Sequence, residues 1–127
     1  MKKIFTSVFI LTLGFFYSHA AVAGNPVAAS INEHMVITLP ADQPLAEQYV
    51  LDVTNVKFVS ADVMQQFCNN FSEHSFMMTA DFANNRIIID VIIGKDSAGN
   101  VWDAAKWNEY LAQRAPKMEM FVQTMNK

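Results

Sequence analysis

The sequence is poor in the residues that build covalent or catalytic frameworks. Cys68 is the one cysteine among 127 residues, so no disulfide can form within the chain. The four glycines form no phosphate-binding loop, and neither a His-Glu-x-x-His nor a Gly-x-Ser-x-Gly motif occurs. We therefore predict that the protein is not an enzyme and that it has no catalytic residue, metal site or cofactor.

Long apolar runs are also scarce. The longest, Ile4 to Phe16, has 13 residues, fewer than the roughly 20 that a membrane-spanning helix needs. It follows the basic start Met1 to Lys3 and precedes the small-x-small sequence Ala21 to Ala23. This order is typical of a secretory signal peptide over residues 1–23. We expect an exported protein, periplasmic or extracellular, with no membrane span after cleavage.

Basic residues are few once those 23 residues are set aside. The other 104 residues hold seven Lys and Arg against twelve Asp and Glu, which leaves a formal charge of −5. An acidic chain disfavours nucleic acid as a partner. A chain of this length suits one domain with one modest core. We predict a flexible lead-in over residues 24–33 and a single α+β domain over residues 34–127.

The first half of that domain has two strand patterns and one helix pattern. Met35 to Leu39 and Tyr49 to Thr54 are predicted strands, the second with Tyr49, Leu51 and Val53 on one face. Ser60 is a good N-cap for a helix that ends near Phe71 to Glu73, because apolar residues recur every four positions after it. Cys68 lies on the apolar side and is predicted to be buried, with intermolecular pairing or a reactive thiol as the alternative.

Two apolar runs flank Asn84-Asn85, a dipeptide that suits the positive φ angles of a type I′ turn. A two-residue turn would pair Phe82 with Ile87 and Phe76 with Ile93. That register gives the hairpin one wholly apolar face. Its residues are Phe76, Met78, Ala80, Phe82, Ile87, Ile89, Val91 and Ile93.

The C-terminal segment is predicted to be helical. Asp103 can cap a helix from Ala104 to about Arg114, Pro116 interrupts it, and a second short helix or kinked continuation follows. Trp107 and Tyr110 are expected to anchor this helix on the sheet and Trp102 to form a hydrophobic staple before its cap, with a ligand-stacking group of the three rings as the alternative. The element order predicts an α+β fold with a ferredoxin-like split-βαβ unit. We expect a four-stranded antiparallel sheet in ββαββα order, Met35 to Leu39 beside Tyr49 to Thr54, and two helical segments on one face.

The stretch from Tyr49 to Ile93 resembles a heavy-metal-associated domain in its order of strand, loop, helix and hairpin. That family has a ferredoxin-like topology and binds metal through a Cys-x-x-Cys motif in the loop. The corresponding positions here are about Phe58 and Ala61, which cannot supply thiolates. The resemblance therefore implies a topology and carries over no metal ligand.

The face of the sheet away from the helices is the candidate interaction surface. Its apolar residues, rimmed by aspartates, suit a protein partner or self-association, with an ordinary solvated face as the alternative. The residues are Asp52, Met77, Thr79, Asp81, Ile88, Asp90 and Ile92. The favoured function is thus a non-enzymatic interaction or binding module.

The alternative function is a soft-metal, copper-type, or small-molecule binding protein. Seven methionines follow Met1, and His74 lies near Met77 and Met78 in the sequence. Against a copper site, the predicted register places Met77 and Met78 on opposite faces of the sheet. An apolar pocket between sheet and helices would favour a small-molecule binder, whereas a filled core with an exposed sheet would favour the interaction module.

Overall fold

The computed structural model describes residues 26–127, so the predicted signal peptide, residues 1–23, lies outside the described part. The strands are β1 (Val27–Ile31), β2 (Ile37–Thr38), β3 (Gln48–Asp52), β4 (Phe76–Asp81) and β5 (Arg86–Val91). The helices are α1 (Ala61–Phe71) and α2 (Ala104–Met125), and a 3-10 turn covers Phe82–Asn84. The fold is α+β, as the sequence predicts.

The sheet differs from the prediction in strand number and direction. It has five strands in the order β2-β1-β3-β5-β4, with β1 parallel to β3 and every other neighbouring pair antiparallel. The predicted four-stranded antiparallel sheet is therefore wrong. The place beside β3 belongs to β1, inside the predicted lead-in 24–33, and the predicted strand Met35 to Leu39 contributes only the two-residue edge strand β2. Strand β1 alternates, with Val27, Ala29 and Ile31 facing the core. The apolar alternation is weak in the sequence because the residues between them, Ala28 and Ser30, are small.

The segment around α1 has the predicted topology. β3 and β4 run parallel with β5 between them, and α1 connects the two. The Ser60 side chain accepts a hydrogen bond from the Val63 amide at 3.2 Å and so caps α1. Cys68 is fully buried in this helix. The N-cap, the end of α1 at Phe71 and the burial of Cys68 are thus confirmed.

The hairpin register is two residues away from the predicted one. Asp81 pairs with Arg86 and Phe76 with Val91, because the connection has four residues, with Asn85 in the left-handed region at φ 52°. The predicted two-residue turn is wrong. Since side chains alternate with a period of two, the slip leaves each residue on its predicted face. Phe82 and Ile93 fall beyond the paired region and are exposed.

One hydrophobic core lies between the sheet and the two helices. The inward side chains of the strands and the apolar side chains of α1 and α2 belong to a single buried cluster. Aromatic rings join these elements: Phe67 of α1 contacts Phe121 of α2 at 6.1 Å between ring centroids, and Phe76 of β4 contacts Trp107 of α2 at 5.0 Å. Both helices therefore pack on the inner face of the sheet, and among residues 26–127 no helix lies on the outer face.

Helix α2 continues through Pro116 instead of ending there. Pro116 offers no N–H to the carbonyl of Ala112, but both residues are exposed, so water can bond that carbonyl. The buried stripe passes the proline unbroken, with Leu111 and Ala115 before it and Met118 after it. Burial of this stripe outweighs the local cost of proline, so the predicted end near Arg114 is wrong, and the segment after Pro116 is a continuation of the helix and not a second short helix.

A polar side chain bonds the backbone of one residue at each edge of the sheet. At the β4 edge, the Ser72 hydroxyl accepts from the Met78 amide at 2.8 Å and donates to the Met78 carbonyl at 3.3 Å. At the opposite edge, the Asn108 side chain accepts from the Leu39 amide at 2.7 Å and donates to the Leu39 carbonyl at 2.9 Å. Both side chains occupy backbone groups that would otherwise be open to another strand.

Candidate functional site

The strand pairing brings the predicted interaction residues together on the outer face of β3, β4 and β5. Met77 lies opposite Asp90, and Ile88 lies between Val50 and Thr79. Met77 is 46% exposed and Ile92, just beyond β5, is 54% exposed. Ile88 is only 1% exposed, because it occupies the middle of the central strand of this trio. The apolar surface open to a partner is therefore formed by Met77 and Ile92, with Ile88 beneath.

The carboxylates of the outer face are held apart by separate local partners. Asp81 accepts from Arg86 Nε at 2.7 Å, and Asp90 accepts from Gln48 Nε2 at 2.8 Å. Hydrogen bonds from Thr54 hold the pKa of Asp52 below its usual value. Partial burial acts to raise the pKa of Asp81, but its hydrogen bonds and the Arg86 charge outweigh this and lower it. The lowered pKa values keep Asp52 and Asp81 ionised at neutral pH, which makes the face acidic.

The residues considered for a soft-metal site do not converge. Met78 and Met118 are buried in the core, whereas Met77 lies on the outer face. Met120 is 67% exposed on α2. Within residues 26–127, no three His, Cys, Asp or Glu side chains are grouped closely enough to hold a metal ion.

The Cys68 thiol is enclosed by the core. Burial raises its pKa to about 12, so the thiol stays protonated at neutral pH. A protonated and inaccessible thiol is a poor nucleophile and a poor metal ligand. The interpretation of Cys68 as a small core residue fits this environment.

A second candidate surface is a cleft that the sequence does not predict. It has a volume of about 370 Å³ and lies between residues 73–75, before β4, and the segment 92–96, after β5. Three aromatic rings of the α2 region complete its lining: Trp102, Trp107 and Tyr110. Their centroids are 4.8 to 5.8 Å apart in edge-to-face contacts. We call this site the aromatic cleft.

One wall of the aromatic cleft is a loop organised by Asp96. Its carboxylate accepts from the amides of Ala98 and Asn100, each at 2.9 Å, and from Trp102 Nε1 at 2.9 Å. Gly99 closes the loop at φ 88°, a conformation that favours glycine. The hydrogen bond from the Asn100 amide is the largest of the effects that lower the pKa of Asp96. The loop therefore holds the Trp102 ring in place without a ligand.

The opposite wall is tied to α2 through Glu73. The Glu73 carboxylate accepts from both the Tyr110 hydroxyl and the Arg114 guanidinium. The guanidinium also lies 5.4 Å from the centre of the Phe71 ring. Backbone bonds of 3.0 Å in both directions join Glu73 to Phe76. Glu73 is thus compensated by a cation and fixed in position.

Two polar groups of the aromatic cleft have no such ties. Neither the His74 imidazole nor the Lys95 ammonium makes a hydrogen bond or ion pair with any residue in the described range 26–127. The sequence predicts Trp102, Trp107 and Tyr110 as packing residues, and Trp107 is indeed buried. It does not predict the cleft, since residues 73–75 and 92–96 meet only through the β4–β5 pairing. The local signals are Trp102, Trp107 and Tyr110, for which ligand stacking is the alternative interpretation, and the Asp96 to Asn100 loop directly before them.

Neither described helix has the length and apolar content needed to cross a lipid bilayer. The chain matches no protein-family model, no curated protein and no solved structure.

Proposed function

We propose that the chain is an exported, non-enzymatic binding module that takes a protein partner on the outer face of its sheet. The observation that carries this proposal is the exposure of Met77 and Ile92 on an otherwise acidic sheet face. Apolar side chains surrounded by a polar rim are typical of protein-binding surfaces. Export is proposed from the signal-like residues 1–23 alone.

The capped edges favour binding through the face of the sheet over strand addition. A peptide that adds to a sheet needs free backbone N–H and C=O groups along the edge strand. Ser72 occupies those of Met78, and Asn108 occupies those of Leu39. A partner is therefore expected to contact side chains of β4 and β5.

The charge of the outer face favours a basic partner over a second copy of the chain. It carries Asp52, Asp81 and Asp90, and its one cation, Arg86, is already paired with Asp81. A symmetric dimer through this face would bring like charges together. The partner we propose has an apolar centre and lysines or arginines around it.

The experiment is site-specific photo-crosslinking in the native compartment of the protein. A benzophenone amino acid replaces Met77 in one variant and Met120 in the control, because both methionines are exposed and Met120 lies on α2. We expect a discrete adduct with a basic protein at position 77 that is absent at position 120. The adduct should weaken as salt rises, since screening shortens the reach of charge attraction.

Other outcomes would contradict the proposal. Identical adducts at both positions would mean that the outer face has no preference for a partner. An adduct of twice the chain mass at position 77 would show that the outer face binds a second copy of the chain and not a basic partner. Ile88 is unsuitable as a test position because it is 1% exposed, and a charge there would destabilise the sheet.

We also propose a distant ferredoxin-like relation for the segment formed by β3, α1, β4 and β5. It is supported by the parallel arrangement of β3 and β4 around β5. The relation concerns topology, and it brings no metal site because Phe58 and Ala61 have no thiol groups.

A further inference from the structure

We propose that the aromatic cleft binds a small organic carboxylate with an apolar or aromatic body. The cleft shares Ile92 with the outer face, whereas Met77 lies outside it, so variants at Met77 and Lys95 test the two proposals independently. The support comes from the shape of the cleft, its ring-lined interior and the polar groups that remain free in it.

The aromatic cleft is preformed. Its volume of about 370 Å³ lies at the lower end of the range of known small-molecule sites. The Asp96 bonds hold one wall, and the bonds of Glu73 to Arg114 and Tyr110 hold the other. A ligand therefore does not have to order these walls, which lowers the entropic cost of binding.

The interior suits a flat apolar group. Trp102 and Tyr110 are half-buried. Their rings contact each other edge to face, with centroids 5.6 Å apart, and both line the cleft. Ile92, 54% exposed, adds an aliphatic surface. An aromatic or branched aliphatic group placed here would cover apolar surface that is otherwise wet.

The free polar groups select the charge of the ligand. Both carboxylates of the aromatic cleft have internal partners, because Glu73 is held by Arg114 and Asp96 by Trp102 and its own loop. Lys95 and His74, by contrast, have no described partner. Lysine offers three donors and imidazole at least one, so an anion is the complement they lack. A cationic ligand would meet the Lys95 charge with no unpaired carboxylate to balance it.

The two tryptophans of the chain allow a direct test, because both line the aromatic cleft. The full chain is titrated with each probe, and tryptophan emission is followed with excitation at a wavelength that the probes do not absorb. The probes are 3-phenylpropanoate, its neutral amide and the corresponding amine, which share one ring and differ in charge. We expect a saturable change with the carboxylate, at an affinity about tenfold above those of the amide and amine.

Charge-removing variants locate the contact. Lys95→Gln and His74→Gln should each weaken carboxylate binding, with Lys95→Gln reducing it about tenfold. Lys127→Gln, which removes the same charge at the C-terminus outside the cleft, should bind like the wild type. Far-UV circular dichroism establishes that each variant is folded. Met77→Arg on the outer face should also leave the affinity unchanged, which separates this proposal from the partner-binding proposal.

Four results would overturn the proposal. The first is tighter binding of the amine than of the carboxylate. The second is equal binding of all three probes, which would mean that the cleft recognises only their apolar ring. The third is the absence of any saturable emission change, and the fourth is an equal effect of Lys95→Gln and Lys127→Gln on carboxylate binding.

Discussion

The bond between Asn108 and Leu39 joins the edge of the sheet to α2, and its removal should measurably destabilise the protein. The Asn108 side chain bonds both backbone groups of Leu39, at 2.7 and 2.9 Å. Leu39 is fully buried and Asn108 is half-buried. In Asn108→Ala, the Leu39 amide and carbonyl would both lose their partner in a site with little access to water.

The magnitude follows from those two groups. An orphaned buried donor or acceptor costs about 1 to 3 kcal/mol, and the lower half of that range applies at a sheet edge that water can partly reach. Alanine is better than asparagine within a helix by about 0.6 kcal/mol, which offsets part of the loss. We therefore expect Asn108→Ala to lower the free energy of unfolding by about 2 kcal/mol.

Urea unfolding measures this change, and hydrogen exchange localises it. The matched control is Glu109→Ala on the same helix, where the exposed ion pair to Lys106 should contribute less than about 0.5 kcal/mol. In Asn108→Ala, the Leu39 amide should lose its protection from exchange. If the two variants were equally stable, or if the Leu39 amide stayed protected, the structural role assigned to Asn108 would be refuted.

Three further predictions concern other single groups. Burial raises the pKa of the Cys68 thiol to about 12 from an ordinary value of 9.0, so its contribution to stability is complete below pH 9 and declines between pH 9 and 12. The free energy of unfolding, measured in urea across this range, should fall faster for the wild type than for Cys68→Ala, by up to about 1.4 kcal/mol per pH unit; parallel curves would contradict this. Ser72→Ala should cost about 1 to 2 kcal/mol and unprotect the Met78 amide in hydrogen exchange, whereas an unchanged exchange rate would exclude the edge cap. Pro116→Ala should raise the free energy of unfolding by about 1 to 3 kcal/mol, since it restores a helical hydrogen bond to Ala112; a loss in urea unfolding would show that the proline is needed.

The candidate surfaces were predictable to different degrees. The outer face follows from alternation along the strands, so Met77, Asp81 and Asp90 could be assigned to it from the sequence. The burial of Ile88 could not, because it depends on the strands that flank β5. The aromatic cleft depends on a contact between residues 73–75 and 92–96, for which no local pattern exists.

What the sequence by itself determined is local and periodic. The spacing of apolar residues defines the buried side of α1, and Ser60 defines its start, because capping and helical periodicity involve residues within one turn of each other. The inward face of the hairpin is likewise a property of alternation, and a slip of two residues leaves its paired residues on that face while Phe82 and Ile93 fall outside it.

The tertiary structure decided the rest. Strand β1 pairs with β3 because a short strand of small residues gains its stability from neighbouring strands, and its own apolar alternation is weak. Helix α2 continues past Pro116, because the buried stripe of the helix continues through Met118 and outweighs one lost backbone bond. The aromatic cleft also forms only in the tertiary structure. There the Lys95 ammonium has no partner among residues 26–127, because Glu73 is bonded to Arg114 and Asp96 to Trp102.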